Sequence, residues 1–60
     1  MELIIYLGKR VYLTISNGYY YTGLVCSADE DSLTILDKNQ KRVTLRKDQI
    51  ETIREVSSNG

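Results

Sequence analysis

The chain has 60 residues, eight of them basic and eight acidic, so its formal net charge at pH 7 is zero. A chain this short forms one domain with a thin core, and it lacks the overall positive field of proteins that grip phosphates. One cysteine and no histidine exclude an internal disulfide and the usual zinc ligand sets, which leaves oligomerisation as the common way to support so small a fold.

The two ends of the chain predict a domain outside the secretory route. Glu2 stands where a signal peptide would carry bases, and no apolar run reaches the roughly 18 to 20 residues that span a bilayer. We therefore expect a cytoplasmic protein, with residues 1–56 forming a single domain and residues 57–60 a flexible tail. A short helical turn or a loose lead-in is predicted before the first strand. Its apolar side chains, which are expected to cover one end of the core, are Leu3, Ile4, Ile5 and Leu7.

The first half of the chain has the pattern of a β-hairpin. Apolar residues alternate with polar or aromatic ones, which predicts a half-buried strand over residues 9–16. The residues on its buried face are Val11, Leu13 and Ile15. Asn17-Gly18 permits the positive φ of a tight turn, so residues 19–28 are predicted to return antiparallel. Gly23 lies within this second strand and indicates a bulge, a bend or a close backbone approach.

Three more strands are predicted in the second half, over residues 32–36, 42–46 and 49–55. Their predicted buried residues are Leu33 and Ile35, Val43 and Leu45, and Ile50 and Ile53. The last pair is three residues apart, a spacing that suits a helical turn as well as a strand. We favour a strand, preceded by a brief 3₁₀ turn at Lys47-Asp48. The fold class is therefore all-β, a small five-stranded, strongly bent antiparallel barrel.

No pattern in the chain is typical of catalysis or of metal binding. Cys26 has no histidine to activate it as a nucleophile, because the chain contains none. The run Asp29-Glu30-Asp31 forms no recognised cation-binding loop and is interpreted as a solvated turn. We therefore expect no enzyme activity, no cofactor and no bound metal.

Two motifs, in this order, resemble those of the Sm and Sm-like proteins. The first combines alternating apolar residues, an Asn-Gly pair, a glycine and an acid, here Val11, Leu13, Ile15, Asn17, Gly18, Gly23 and Asp29. The second places an apolar residue before an arginine and two more apolar residues after it, here Leu45, Arg46, Ile50 and Ile53, with Lys47 where glycine is usual. The resemblance covers about residues 8–56. It implies a small barrel that assembles into rings and holds single-stranded RNA.

The resemblance also implies which residues contact RNA. Arg46 is expected to stack on bases and attract phosphates, with Asp48 orienting it and Lys47 adding charge. Family members that bind uridine-rich RNA carry asparagine at the start of the third strand, where this chain has Leu33, or Ser32 if the preceding loop is one residue shorter. Neither residue offers the paired donor and acceptor of asparagine, so the base pocket departs from the family pattern.

Three consecutive tyrosines follow the predicted turn. Alternation puts Tyr19 and Tyr21 on one face of the strand and Tyr20 on the other. Tyr20 is a candidate RNA contact because an aromatic side chain stacks a base with about 1 to 3 kcal/mol, and Tyr6 and Tyr12 could extend the surface. The alternative is that these tyrosines simply cover the sheet or pack between subunits.

The unpaired outer strands of such a sheet are expected to recruit further copies. We predict a homo-oligomeric ring, a hexamer or heptamer, in which residues 42–46 pair with residues 51–55 of a neighbour. The candidate interface residues are Arg42, Val43, Leu45, Ile50, Thr52 and Ile53.

Two functions and a third architecture remain open from the sequence. Arg46 and the basic 38–42 turn favour an RNA-binding or RNA-chaperone ring, whereas the zero net charge and the absent asparagine favour a structural or protein-interaction ring without a base pocket. A monomeric small barrel of the Src-homology or chromatin-reader type is the third possibility.

Overall fold

The computed structural model describes residues 2–56. Its elements in chain order are a 3₁₀ turn at Ile4–Tyr6, strands β1 (Arg10–Ile15), β2 (Tyr20–Ala28), β3 (Ser32–Leu36) and β4 (Arg42–Arg46), a second 3₁₀ turn at Lys47–Gln49 and strand β5 (Ile50–Glu55). All neighbouring strands are antiparallel, in the order β4-β3-β2-β1-β5. The predicted all-β class, the five antiparallel strands and both short helical turns are confirmed.

The strand limits follow the sequence pattern closely. β3 and β4 have the predicted limits, while β1, β2 and β5 begin one residue later than expected, and β1 also ends one residue earlier. Strand ends commonly differ by this much between ways of assigning them. The predicted tail over residues 57–60 lies outside the described residues.

The sheet is open along its two outer strands. β4 and β5 stand at opposite ends of the strand order, and neither is hydrogen-bonded to the other within residues 2–56. Closure into a barrel is therefore not confirmed and stays a prediction. In the described part of the chain, each outer strand leaves one row of backbone amides and carbonyls without a strand partner, a feature that promotes pairing with another chain.

One face of the sheet, together with the first 3₁₀ turn, encloses the core. The buried residues are Leu3, Val11, Leu13, Ile15, Val25, Leu33, Ile35, Leu45 and Ile50. Val43 and Ile53, predicted to be inward, are half-buried and pack against this core. Full burial of one aliphatic side chain contributes about 1.5 to 3 kcal/mol, so these few residues account for most of the hydrophobic stabilisation.

The N-terminal segment covers the core with the buried Leu3 and the partly buried Tyr6. Leu3 is buried, but Ile4, Ile5 and Leu7 each expose about half of their surface or more, at 51%, 59% and 52%. The expectation that all four cover the core is therefore wrong for the last three. A 3₁₀ turn has about three residues per turn, so only one side of this short segment can face the sheet.

An irregularity in β5 explains why Ile50 and Ile53 are three residues apart. Thr14 of β1 pairs with Thr52, whereas the next residue, Ile15, pairs with Ile50. Glu51 is therefore an extra residue without a partner on β1, as in a β-bulge. The extra residue restores the inward direction for Ile53, which a strictly alternating strand would turn outward.

Candidate nucleic-acid interface

Arg46 lies at the end of β4, where the sequence predicted the main RNA contact. Its Cα partner on β3 is Ser32, the other candidate from the base pocket. The Arg46 guanidinium donates to Asp48 Oδ2 at 3.1 Å, and the two side chains are 74% and 69% exposed. The structure thus brings together Arg46 with the residue expected to orient it.

Backbone hydrogen bonds fix the position of this cluster. The Gln49 side-chain carbonyl accepts the Arg46 N–H at 2.9 Å and so holds the second 3₁₀ turn against β4. The Lys47 N–H donates to the Asp31 carbonyl at 2.7 Å and ties that turn to the loop before β3. As a result, one open recess is lined by Asp31, Ser32, Arg46, Lys47 and Asp48, which we name the Arg46 cluster.

The loop beside the cluster is organised by Asp29. Its Oδ1 accepts the backbone N–H groups of Asp31 and Ser32, both at 2.8 Å, and the Ser32 hydroxyl at 3.3 Å. The backbone hydrogen bond from Asp31, followed by that from Ser32, lowers the pKa of the Asp29 carboxyl below its usual value. The run of acids, interpreted as a solvated turn, is thus an exposed turn held by its first carboxylate.

The charges of the Arg46 cluster balance. Arg46 and Lys47 face Asp31 and Asp48, and a second recess beside it is lined by Glu2 and Glu30 in addition to Asp31 and Lys47. An exposed ion pair such as Arg46–Asp48 is worth about 1 kcal/mol or less, so a ligand can displace Asp48 at little cost. The cluster can offer a planar cation to a base or a phosphate, although the carboxylates weaken its attraction for anions.

Tyr20 is not part of the Arg46 cluster. Its ring stacks on Tyr12 of β1, with centroids 5.5 Å apart and an interplanar angle of 22°. The Arg54 guanidinium of β5 lies over the Tyr12 ring, 5.0 Å from its centroid. These three side chains form a continuous row across three strands, which we name the tyrosine column.

Arg54 is the member of the column that sequence reasoning missed. Tyr12 was considered as an extension of a Tyr20 surface, but nothing along the chain indicates which strand lies on the side of β1 away from β2. Arg54 opposes Tyr12 because β5 pairs with β1 in a register set by the extra residue Glu51. An outward arginine on the last strand was the available signal, and it becomes informative only once that pairing is known.

The predicted interface residues all lie on the two outer strands, with different exposures. Arg42 and Thr52 are exposed, Val43 and Ile53 are half-buried, and Leu45 and Ile50 are buried in the core. Leu45 and Ile50 can therefore support a contact between copies only indirectly, by holding the backbones of β4 and β5 in position. Val43 and Ile53 are the apolar side chains that a neighbouring copy could cover further.

No protein-family model and no curated protein matches this chain. Among residues 2–56, neither helical segment has the length and apolar character needed to cross a membrane. Within that same part of the chain, no three Cys, Asp or Glu side chains are grouped so as to hold a metal ion.

Proposed function

We propose that the protein is a non-catalytic, Sm-like ring-forming protein that binds single-stranded RNA through Arg46, repeated around a pore. The observation that carries this proposal is the position of Arg46 at the free end of β4, joined to Asp48 and Ser32 in one open recess. The Asn17-Gly18 turn between β1 and β2, Gly23 within β2 and Arg46 at the end of β4 are the parts of the two motifs that support the proposal.

Ring assembly follows from the two open edges of the sheet. β4 carries Arg42 and Arg46 and no acid, a charge of +2, whereas β5 carries Glu51, Arg54 and Glu55, a charge of −1. Pairing β4 of one copy with β5 of the next brings opposite charges together, whereas pairing two β4 strands opposes like charges. Such a contact is heterologous, so it closes into a ring when the rotation per copy allows it. The proposal includes the predicted small barrel, which forms when the five-stranded sheet of each copy bends strongly.

Repetition makes a weak contact sufficient. One exposed arginine contributes little affinity, but six or seven copies around a pore engage one strand at high effective concentration. Arg46 supplies a flat guanidinium that stacks on a base or pairs with a phosphate, and Lys47 adds a point charge beside it. This mode predicts modest sequence preference and strong salt dependence.

The competing function is a structural or protein-interaction ring without RNA. The balance of Arg46 and Lys47 against Asp31 and Asp48 favours it, because such a recess has little net attraction for phosphate. Its open edges would serve the same assembly.

Titration of labelled oligo-uridine at two salt concentrations tests the proposal. Arg46→Ala is expected to weaken binding by tenfold or more if each copy loses a contact of about 1 kcal/mol. Arg46→Lys separates base stacking from phosphate attraction, since lysine keeps the charge but not the flat stacking surface. Lys9→Ala is the matched control, because it removes an exposed cation whose ion-pair partner is Glu55 and not Asp48. Undetectable binding at low salt would leave the structural ring as the better function.

A further inference from the structure

We propose that the tyrosine column is a second binding site, at which Tyr20 stacks an unpaired base of a single-stranded nucleic acid. The proposal rests on the proposed function for the class of ligand, but it does not require Arg46. It concerns a different part of the sheet, and the group that stacks on the base is an aromatic ring and not a guanidinium.

The column has a closed end and an open end. Tyr12 lies on β1 between Arg54 of β5 and Tyr20 of β2, and it is half-buried. Tyr20 is 64% exposed. β3 pairs with β2 only from Leu24 to Ala28, so within residues 2–56 no strand is paired with Tyr20 on that side. The exposed part of Tyr20 is therefore the place where a flat ligand can continue the stack.

Stacking in the column orients the receiving ring in advance. The nearly parallel arrangement of Tyr12 and Tyr20 holds both rings in one direction, and the Arg54 cation adds an attraction for the Tyr12 ring. Binding of a base to this stack therefore costs less side-chain conformational entropy than binding to a mobile tyrosine.

The charge on this face suits a phosphate backbone. Arg10 pairs with Leu24 and Arg42 pairs with Leu36, and these two leucines pair with each other. Cross-strand partners share a face, so both arginines lie on the face that carries the column, as Arg54 does.

Neither strand carboxylate is a cross-strand partner of these arginines. Glu55 pairs with Val11, whose side chain is in the core, and its carboxylate forms an ion pair with Lys9 at 3.6 Å. Glu51 is the extra residue of β5 and has no partner on β1. Among the strand residues, the arginines and tyrosines of this face thus have no carboxylate as a cross-strand partner.

The column is separate from the Arg46 cluster, and Arg54 is its one member on an outer strand. Tyr20 begins β2, whereas the other end of β2, at Ala28, lies beside the start of β3 that pairs with Arg46. β2 is the central strand, with two strands on either side. Assembly through β4 and β5 therefore leaves Tyr20 uncovered, and both sites can be occupied in the same ring.

Fluorescence of 2-aminopurine in a short single strand tests the column directly, because stacking quenches this base. Titration at low salt is expected to quench the wild-type complex, and Tyr20→Ala is expected to weaken binding about fivefold or more. Tyr20→Phe should retain it, since the ring remains. Tyr19→Ala is the matched control, because Tyr19 has nearly the same exposure, 65% against 64%, and is outside the column. Far-ultraviolet circular dichroism shows that each variant is folded.

Two further arms separate this site from the Arg46 cluster. Quenching that persists in Arg46→Ala but is lost in Tyr20→Ala supports the column, as does weaker binding of an abasic strand that keeps the phosphates. Quenching that is equal in Tyr20→Ala and Tyr19→Ala overturns the column, whatever Arg46 does. Wild-type protein that binds oligo-uridine through Arg46 without quenching 2-aminopurine also overturns it, and leaves the proposed function intact.

Discussion

A Cβ atom at Gly23 would lie 2.5 Å from the carbonyl oxygen of Leu36, so β2 passes closer to the end of β3 than any side chain would permit. Of the three roles that the sequence allowed for this glycine, the structure thus shows a close backbone approach. The atom in the way belongs to the backbone, so it cannot rotate aside. The position requires glycine because of the space available.

Gly23→Ala is expected to destabilise the fold by about 1 to 3 kcal/mol, the usual cost of forcing an extra methyl group into a packed site. Urea unfolding followed by circular dichroism measures the change. Ser27→Ala, on an exposed position of the same strand, should stay within about 0.5 kcal/mol of the wild type. Equal stability of the two variants would show that β3 moves away without cost.

Gly18 tests a different constraint, because its surroundings are empty but its φ is +93°. An L-residue there is destabilised by the left-handed backbone conformation and not by a clash. Gly18→Ala should therefore lower the free energy of unfolding by about 1 to 2 kcal/mol. Gly18→Asn should cost less, since asparagine tolerates this region. Thermal unfolding of the three proteins provides the ranking, and a ranking with alanine above asparagine would contradict the argument.

Asp29 is expected to make stability depend on acid. Its pKa is lowered in the folded protein from the ordinary value of 3.8, by hydrogen bonds from Asp31 and Ser32. The carboxylate therefore stabilises the fold fully when the pH is above that ordinary pKa. This contribution is lost as the pH falls through the lower pKa of the folded state. Asp29→Asn keeps an acceptor oxygen without the charge. The difference in melting temperature between wild type and Asp29→Asn should shrink on acidification, and a constant difference would exclude the carboxylate as the cause.

The outer edge of β4 is expected to be an assembly surface. Val43→Lys puts a charge on a half-buried edge position, a substitution that opposes strand pairing, and should lower the mass measured by light scattering. Ser27→Lys adds the same charge on central strand β2 and should leave the mass unchanged. Wild-type protein that is monomeric at micromolar concentration would remove the ring altogether.

Much of the fold could be predicted because local patterns decide it. Alternation placed Val11, Leu13 and Ile15 inward, and all three are buried. Asn17-Gly18 located the hairpin, and Gly18 adopts the positive φ of its turn. The limits of β3 and β4 followed from short apolar runs between polar turns.

The remaining features depend on contacts between distant parts of the chain. Arg54 lies over Tyr12 only because β5 pairs with β1, a pairing that no local pattern specifies. Ile4 and Ile5 are as apolar as Leu3, yet only the direction of the first turn decides which of them reaches the core. In the candidate site, the Arg46–Asp48 contact was expected from the motif, whereas the tie from Lys47 to Asp31 was not.

The unpaired Glu51 makes β5 one residue longer than strict alternation between its two core isoleucines would allow. Removing this residue would leave Ile50, Thr52 and Ile53 consecutive, so both isoleucines would still point inward and Thr52 would still lie opposite Thr14. Shortening the strand at Glu51, whose side chain is exposed, should thus preserve the core and replace the bulge by a regular ladder.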